Sequence, residues 1–321
     1  MRALVIGGNG FIGSSLVEKL HASGNNVRVL DQCSPRKDAD WTDVEYVVGS
    51  LADVRLLASL LEGVDTVFHL ASSTVPSTSN LDPVADVQSN LIGVLNLCDA
   101  MSRAGCRRVV FFSSGGTVYG DPQRLPVPED HPLRPISSYG VVKVAIENYL
   151  LMYERLGALD PLILRPSNPY GPRQSSAGLQ GVIAAFLGKA GTGESAHIWG
   201  DGEIIRDYLH VDDLIAFALT AGLGRETGVV NVGSGHGYTL NQIVELVRAT
   251  TGAALPVEYA PRRTYDVAEI VLDITLATTR FDWKPAITLP EGIRSTWEAI
   301  KQSYPNGRQS RYTPDRSLDQ R

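Results

Sequence analysis

The sequence predicts an α/β protein, a doubly wound parallel sheet with a smaller interleaved α/β domain. Two observations carry this. In the first half, short β-branched runs alternate with stretches of helical periodicity, and after Arg165 that alternation gives way to turn-rich sequence. Strand-helix alternation calls for parallel strands joined by right-handed crossovers. Ala3–Ile6, Val27–Leu30, Val44–Val48, Thr66–Leu70, Arg108–Phe112 and Pro161–Leu164 are apolar runs of strand length and read as buried strands. Between them, Phe11–Ala22, Val54–Leu61, Val84–Arg103 and Ser138–Leu156 repeat apolar residues at three and four positions and read as helices. Pro, Gly and polar residues then dominate residues 166–178. A helix at Val182–Lys189 is followed by turns at Gly191-Thr-Gly193 and Trp199-Gly-Asp-Gly202. A helix at Asp212–Ala221, a strand at Val229–Val232 and a helix at Leu240–Thr250 complete the pattern. The expected division is a nucleotide-binding domain over 1–165 plus about 208–233, and a second domain over 166–207 and 234–304. Residues 305–321 are polar and aperiodic and are expected to form a flexible tail.

Composition narrows the partners. At 321 residues the chain can bury a substantial core. A net charge of −6 leaves no electrostatic footprint for nucleic acid or an anionic membrane. No apolar run approaches the roughly 18 residues of a membrane span, and the chain opens on a strand, so no signal peptide is expected. Cys33, Cys98 and Cys106 are odd in number and unpaired in spacing, which points to a reducing cytoplasm. The six histidines lack metal-ligand spacing, so no metal is expected.

Two constellations carry chemistry. The first is Gly7-Gly-Asn-Gly10-Phe-Ile-Gly13, between the first strand and the first helix. Glycines there permit a tight turn and let backbone N–H groups reach a pyrophosphate at the helix amino terminus. Asp31 ends the second strand, where a carboxylate binds a ribose 2′-hydroxyl and repels a 2′-phosphate, selecting NAD over NADP. The second constellation is Ser138-Tyr-Gly-Val-Val-Lys143. Spacing of four puts the Tyr139 phenol and the Lys143 ammonium on one helix face. A fixed cation favours phenolate, so the phenol's pKa is expected to fall towards the working pH for proton transfer.

In order along residues 1 to about 300, these and further motifs resemble the extended short-chain dehydrogenase/reductases. Within that group they resemble the sugar-nucleotide 4-epimerases. The further motifs are His69-Leu-Ala-Ser72, Asn90-Leu-Ile-Gly-Val-Leu-Asn96, Ser113-Ser-Gly-Gly-Thr-Val-Tyr-Gly120, Arg165-Pro-Ser-Asn-Pro-Tyr-Gly171, and Gly200-Asp-Gly202 with Arg206-Asp-Tyr-Leu-His-Val-Asp212. The resemblance implies a Rossmann-type first domain. It implies cofactor contacts from Gly7, Gly10, Phe11, Ile12, Gly13, Asp31, Ser50, Leu51, Leu70, Ala71, Ser72, Asn90, Ser113, Tyr139, Lys143 and Pro166. On the substrate side it implies that Arg206 and Arg263 bind a diphosphate with Asn168, and that Gln180 and Trp199 hold base and ribose. Arginine suits that task because its guanidinium meets phosphate oxygens bidentately.

Two departures stand out. Ser50 replaces the family's adenine-contacting Asp in Gly49-Ser-Leu-Ala-Asp53. Gly115 occupies the place of the catalytic Ser or Thr, so either Ser114 or Thr117 must supply that hydroxyl. Absences also speak. Dehydratases and decarboxylases of the family carry acids beside the catalytic hydroxyl, where this chain has Gly115 and Gly116. Uronate-specific relatives carry Thr for Asn168 and Arg for Ser175. Ile270 stands where a bulky Tyr restricts some relatives to unacetylated hexoses, so an N-acetylated sugar is also accommodated. The expectation is therefore a cytoplasmic, homodimeric, NAD-dependent 4-epimerase of UDP-glucose and UDP-galactose. The alternatives are a nucleotide-sugar dehydratase or reductase, or a catalytically silent NAD sensor.

Overall fold

The computed structural model describes residues 1–37, 39, 41–175, 181–263 and 267–301. Strands β1 (Arg2–Ile6), β2 (Asn26–Asp31), β3 (Glu45–Val48), β4 (Thr66–His69), β5 (Arg108–Phe112) and β6 (Asp160–Pro166) form one parallel sheet. A later strand at Gly228–Val232 joins β6 at its edge, and β3 closes the opposite edge. The chain starts in the middle at β1, builds outward to β3, then returns to lay β4 on the other side of β1. That reversal opens a crevice at the carboxyl ends of β1 and β4, the usual ligand position in such sheets.

Strand alternation sorts the core. Ala3, Val5, Val27, Val29 and Phe68 pack with Leu16, Val17 and Leu20 of α1 (Phe11–Ala22) on one face. Leu4, Ile6, Leu30 and Val67 face the other way. There they meet α2 (Val54–Leu60), α4 (Gly93–Ala104) and α5 (Ser138–Arg155), where Leu97, Val142 and Ile146 are buried. Each such side chain contributes about 1.5–3 kcal/mol of burial, which is why both faces of the sheet are apolar.

The helix expected at Val84–Arg103 is more complicated. A short α3 (Pro83–Asp86) runs through a π-helical stretch, Val87–Ile92, into α4. Asp86 and Asn90 both turn their side chains to the loop after β4, through Thr74 and Ser73. Their spacing of four residues puts both on one face of the run.

A second body gathers α6 (Val182–Thr192), α8 (Leu240–Thr251) and α10 (Leu289–Lys301) around Ile183, Leu187, Ile243, Val247 and Ile293. It includes strands that turn-rich sequence concealed. β7 (Asn168–Tyr170), β8 (Ala196–Trp199) and β9 (Ile205–His210) lie where only clamps and turns were expected, and β7 pairs in parallel with β9. The expected tail at 305–321 lies outside the described residues. Among the described residues no helix is long and apolar enough to cross a membrane.

His69 ends β4 buried, with neither ring nitrogen hydrogen-bonded. Burial first, then the nearby Lys143 cation, lowers its pKa to about 3 from 6.5. The unfolded chain therefore takes up a proton near pH 6.5 that the folded chain refuses until about pH 3. Stability falls as pH drops through that window. Between roughly pH 7.5 and pH 5 the His69 contribution is about 2 kcal/mol. Urea unfolding of the parent and of His69→Leu at both pH values should show an acid loss smaller by that amount in the variant.

Candidate active site

The crevice at the reversal point is a cavity of about 770 Å³ whose wall includes Gly7, Gly10, Phe11, Ile12 and Gly13. Here glycine is obligatory. Gly7 sits at φ +83°, and a Cβ on it would lie 2.6 Å from the Ala71 backbone nitrogen. A Cβ on Gly13 would lie 2.1 Å from the Gly7 carbonyl oxygen. The turn is thus pressed between the loop after β4 and the start of α1. No side chain caps α1 at Gly10, and no acid occupies its first turn, so the helix end is free to meet an anion. Asp31 accepts hydrogen bonds from the backbone N–H of Asn9 at 2.9 Å and of Cys33 at 3.0 Å, which fixes the end of β2 beside the turn. These features fit a dinucleotide: a bare helix terminus for the pyrophosphate, and a carboxylate at the second strand's tip for a ribose.

Tyr139 and Lys143 stand on the same wall, in the first turns of α5. Ser137 caps that helix by accepting from the Gly140 N–H at 3.3 Å. Lys143 Nζ donates to the Phe112 carbonyl at 2.8 Å and lies 4.7 Å from the Phe111 ring centre and 5.5 Å from that of Tyr139. The electrostatics differ from expectation. The Tyr139 phenol is pushed up to about 12, by burial first and then by the Asp86 charge, while a hydrogen bond with Ser114 pulls it down. Lys143 is pulled down to about 8 by burial, against the charges of Glu147 and Asp86. Desolvation outweighs the attraction that spacing alone suggests.

Ser113, Ser114, Gly116 and Thr117 all reach the cavity, but differently. The Ser113 hydroxyl donates to the buried Glu147 carboxylate. Ser114 is the hydroxyl that acts on the Tyr139 phenol, lowering its pKa. Thr117 Oγ1 is buried with no partner. A Cβ on Gly115 would lie 2.6 Å from Leu272 Cδ1 and 2.9 Å from the Arg165 carbonyl oxygen, so a side chain has no room there. At Gly116 the nearest atom to a Cβ would be Asn168 Oδ1, 3.8 Å away.

Leu70, Ser72, Pro166, Asn168, Trp199 and Arg206 also line the cavity. Asn168 Nδ2 donates to the Asp207 carbonyl at 2.9 Å, and Arg206 donates to the carbonyls of Ile205 at 2.8 Å and Val267 at 2.7 Å. Trp199 is 43% exposed, a wall residue and not a core anchor, with the Arg263 guanidinium 4.2 Å above its ring. Arg263 thus reaches the site through Trp199. Asp31, Ser50, Leu51, Ala71 and Asn90 do not line the cavity: Ala71 backs Gly7, and the Leu51 carbonyl accepts from Asn96. Ser50 Oγ accepts from the Ala52 N–H, and Asn90 spends its amide on Ser73, Thr74 and Asp86. Gln180 lies outside the described residues. Ile270 is buried with Val118, Tyr119 and Leu272 and does not line the cavity.

Sequence reading missed three wall residues with buried, unpartnered polar atoms: Ser167 Oγ, Gln174 Oε1 and Tyr208 OH. Buried groups of this kind are normally satisfied, so they mark where a polar ligand belongs. Tyr208 was within reach of sequence reasoning. It lies two residues from Arg206, on the same face of β9 once that segment is recognised as a strand.

A bare glycine turn at the switch point of a parallel sheet, with a Tyr/Lys pair on the facing helix, defines a nicotinamide-dinucleotide enzyme of the short-chain type. The family model described as NAD dependent epimerase/dehydratase matches residues 3–233. The chain belongs to that family, and NAD is its cofactor. A UDP-glucose 4-epimerase of Mycolicibacterium smegmatis is 39% identical over 309 residues, 94% of this chain and 99% of the relative. The structure of Thermotoga maritima UDP-glucose 4-epimerase with UDP-glucose superposes with a TM-score of 0.91 at 36% identity, covering 94% of this chain and 99% of that one. The Thermus thermophilus UDP-glucose 4-epimerase complex with NAD gives 0.87 at 34%, covering 94% and 99%.

Ser114→Ala and Thr117→Val separate the two hydroxyls. Loss of the one that bonds the reacting oxygen lowers kcat by about 10-fold or more with little change in KM. Steady-state kinetics of both variants should show that drop in Ser114→Ala and not in Thr117→Val.

Proposed function

We propose that the chain interconverts UDP-glucose and UDP-galactose, or their N-acetylated counterparts, by inverting the sugar's C4. The observation that carries this reading is Tyr139, with the Lys143 ammonium 5.5 Å from its ring centre, on one cavity wall with Ser114, facing a cavity that continues to Asn168 and Arg206. NAD, held by the Gly7–Gly13 turn and Asp31, would supply a reversible acceptor for the C4 hydride. On this reading, the Tyr139 oxygen acts as phenolate, takes the proton of the 4-hydroxyl and later gives it back. Ser114 hydrogen-bonds the same sugar oxygen. Lys143, anchored on the Phe112 carbonyl, holds its ammonium under the phenol. Arg206, Arg263 and Asn168 grip the diphosphate, and the Trp199 ring, braced by Arg263, offers a stacking face to the base. Binding energy from that remote end orders the sugar without entering the chemistry.

An elimination reaction finds no support in the segment beside Ser114, where Gly115 and Gly116 bring no acid. We assign the grip on the nucleotide sugar to segments 166–207 and 234–304, leaving 1–165 and about 208–233 to NAD. We place the reaction in the cytoplasm, in keeping with three free cysteines. Incubation with UDP-glucose, UDP-galactose and the N-acetylated pair, followed by proton NMR, should reveal each 4-epimer with no net redox. Tyr139→Phe should lose about 10²-fold or more in kcat while keeping its fold, because only the proton-transferring oxygen is removed.

We also propose a homodimer through α5 and the helical run from Pro83 to Ala104, which pack side by side. Val84, Val87, Ile92, Val141, Tyr149 and Met152 are exposed on these elements. Val94, by contrast, is buried against the sheet. An uncovered apolar face of this extent marks an association surface. Light scattering at micromolar concentration should return twice the chain mass of 34.7 kDa, and Val141→Glu should return the chain mass itself.

A further inference from the structure

One buried carboxylate beside the catalytic pair has no part in the chemistry above. Asp86 ends α3 with no exposed surface. Its Oδ1 accepts from Thr74 Oγ1 at 2.8 Å and from Asn90 Nδ2 at 2.8 Å, and its Oδ2 accepts from Ser138 Oγ at 2.7 Å. The three donors come from separate pieces of the wall. Thr74 belongs to the loop after β4, whose Val75 and Pro76 also line the cavity. Asn90 lies in the π-helical stretch and holds that loop again, accepting from the Ser73 N–H at 3.0 Å. Ser138 opens α5 next to Tyr139, and its own N–H donates to Asn80 Oδ1 at 2.8 Å. All three donors are neutral, and burying a carboxylate among neutral groups is costly unless a cation answers it.

We propose that Asp86 is a positioning residue of this site: its carboxylate clamps the start of α5 to the loop after β4 and so fixes where Tyr139 and Lys143 stand on the cavity wall. This rests on the roles given above to Tyr139 and Lys143. Asp86 and Asn90 lie four residues apart on one face of the helical run, and together they hold Thr74 and Ser73 of that loop.

Asp86→Asn separates charge from shape. Its carbonyl still accepts from Thr74 and Asn90, and its amide can donate to the Ser138 hydroxyl. Asp86→Ala, which removes the clamp, should lower kcat about 10-fold or more with little change in KM, and Asp86→Asn should restore most of that loss. Amide hydrogen exchange, read with NAD added throughout, should speed up at the start of α5 in Asp86→Ala and in Ser138→Ala, and stay at the parent rate in Asp86→Asn. Parent-like exchange in Asp86→Ala overturns the proposal, and so does exchange in Asp86→Asn as fast as in Asp86→Ala. The exchange measurement needs no sugar, so it stands apart from the epimerase reading, which fails only if no 4-epimer forms.

Discussion

The catalytic end of the sheet depends on one buried ion pair, Glu147 of α5 with Arg165 of β6. The guanidinium grips the carboxylate from Nε at 3.1 and 3.2 Å and from a terminal nitrogen at 2.6 Å. Its remaining donors reach the Tyr119 hydroxyl at 2.9 Å and the Glu129 carbonyl at 3.0 Å. Tyr119 passes the chain of bonds to Asn231 at 2.6 Å, and Glu147 also receives the Ser113 hydroxyl. Breaking such a pair by removing one partner typically costs 3–5 kcal/mol, though its net worth against an apolar replacement is small. What it provides is phase. Tyr139, Lys143 and Glu147 recur every four residues on one helix face, so anchoring Glu147 to the sheet sets where the other two point.

The cost of that anchoring is electrostatic. With α5 seated against the sheet, burial drives the phenol up to about 12 and the ammonium down to about 8, both towards neutrality. The chain counters this with anions and carbonyls under Lys143, and with a hydroxyl against Tyr139. Charge at the phenol is disfavoured while the site rests, and a cation arriving near it shifts the balance towards proton transfer. A pair tuned in this way gains from coinciding with the ligand and from little else.

Much of this was legible in the residues. Strand-helix alternation located six strands of the main sheet and its flanking helices. The glycine spacing and the Tyr139/Lys143 pair picked out residues that share one cavity wall. What stayed hidden depends on partners distant in sequence. β7, β8 and β9 are short strands whose pairing is settled by their neighbours, so turn residues masked them. The π-helical stretch at Val87–Ile92 interrupts a run whose apolar spacing reads as one continuous helix. Ile270 has the side-chain volume expected of it but packs into a core cluster, and Arg263 reaches the site over Trp199. Volume and charge are readable from sequence; direction comes from the fold.

Gly115 shows how packing rearranges a catalytic motif. Leu272 and the carbonyls of Arg165 and Pro166 crowd the point where its Cβ would stand. A hydroxyl could sit there only if β6 withdrew, and β6 is held by Arg165 in the buried pair. The same constraint that phases α5 therefore excludes a side chain at that position. On our reading the hydroxyl moves back one residue to Ser114, which lowers the pKa of the Tyr139 phenol. The displacement of one catalytic hydroxyl is then a consequence of how tightly β6 is pinned.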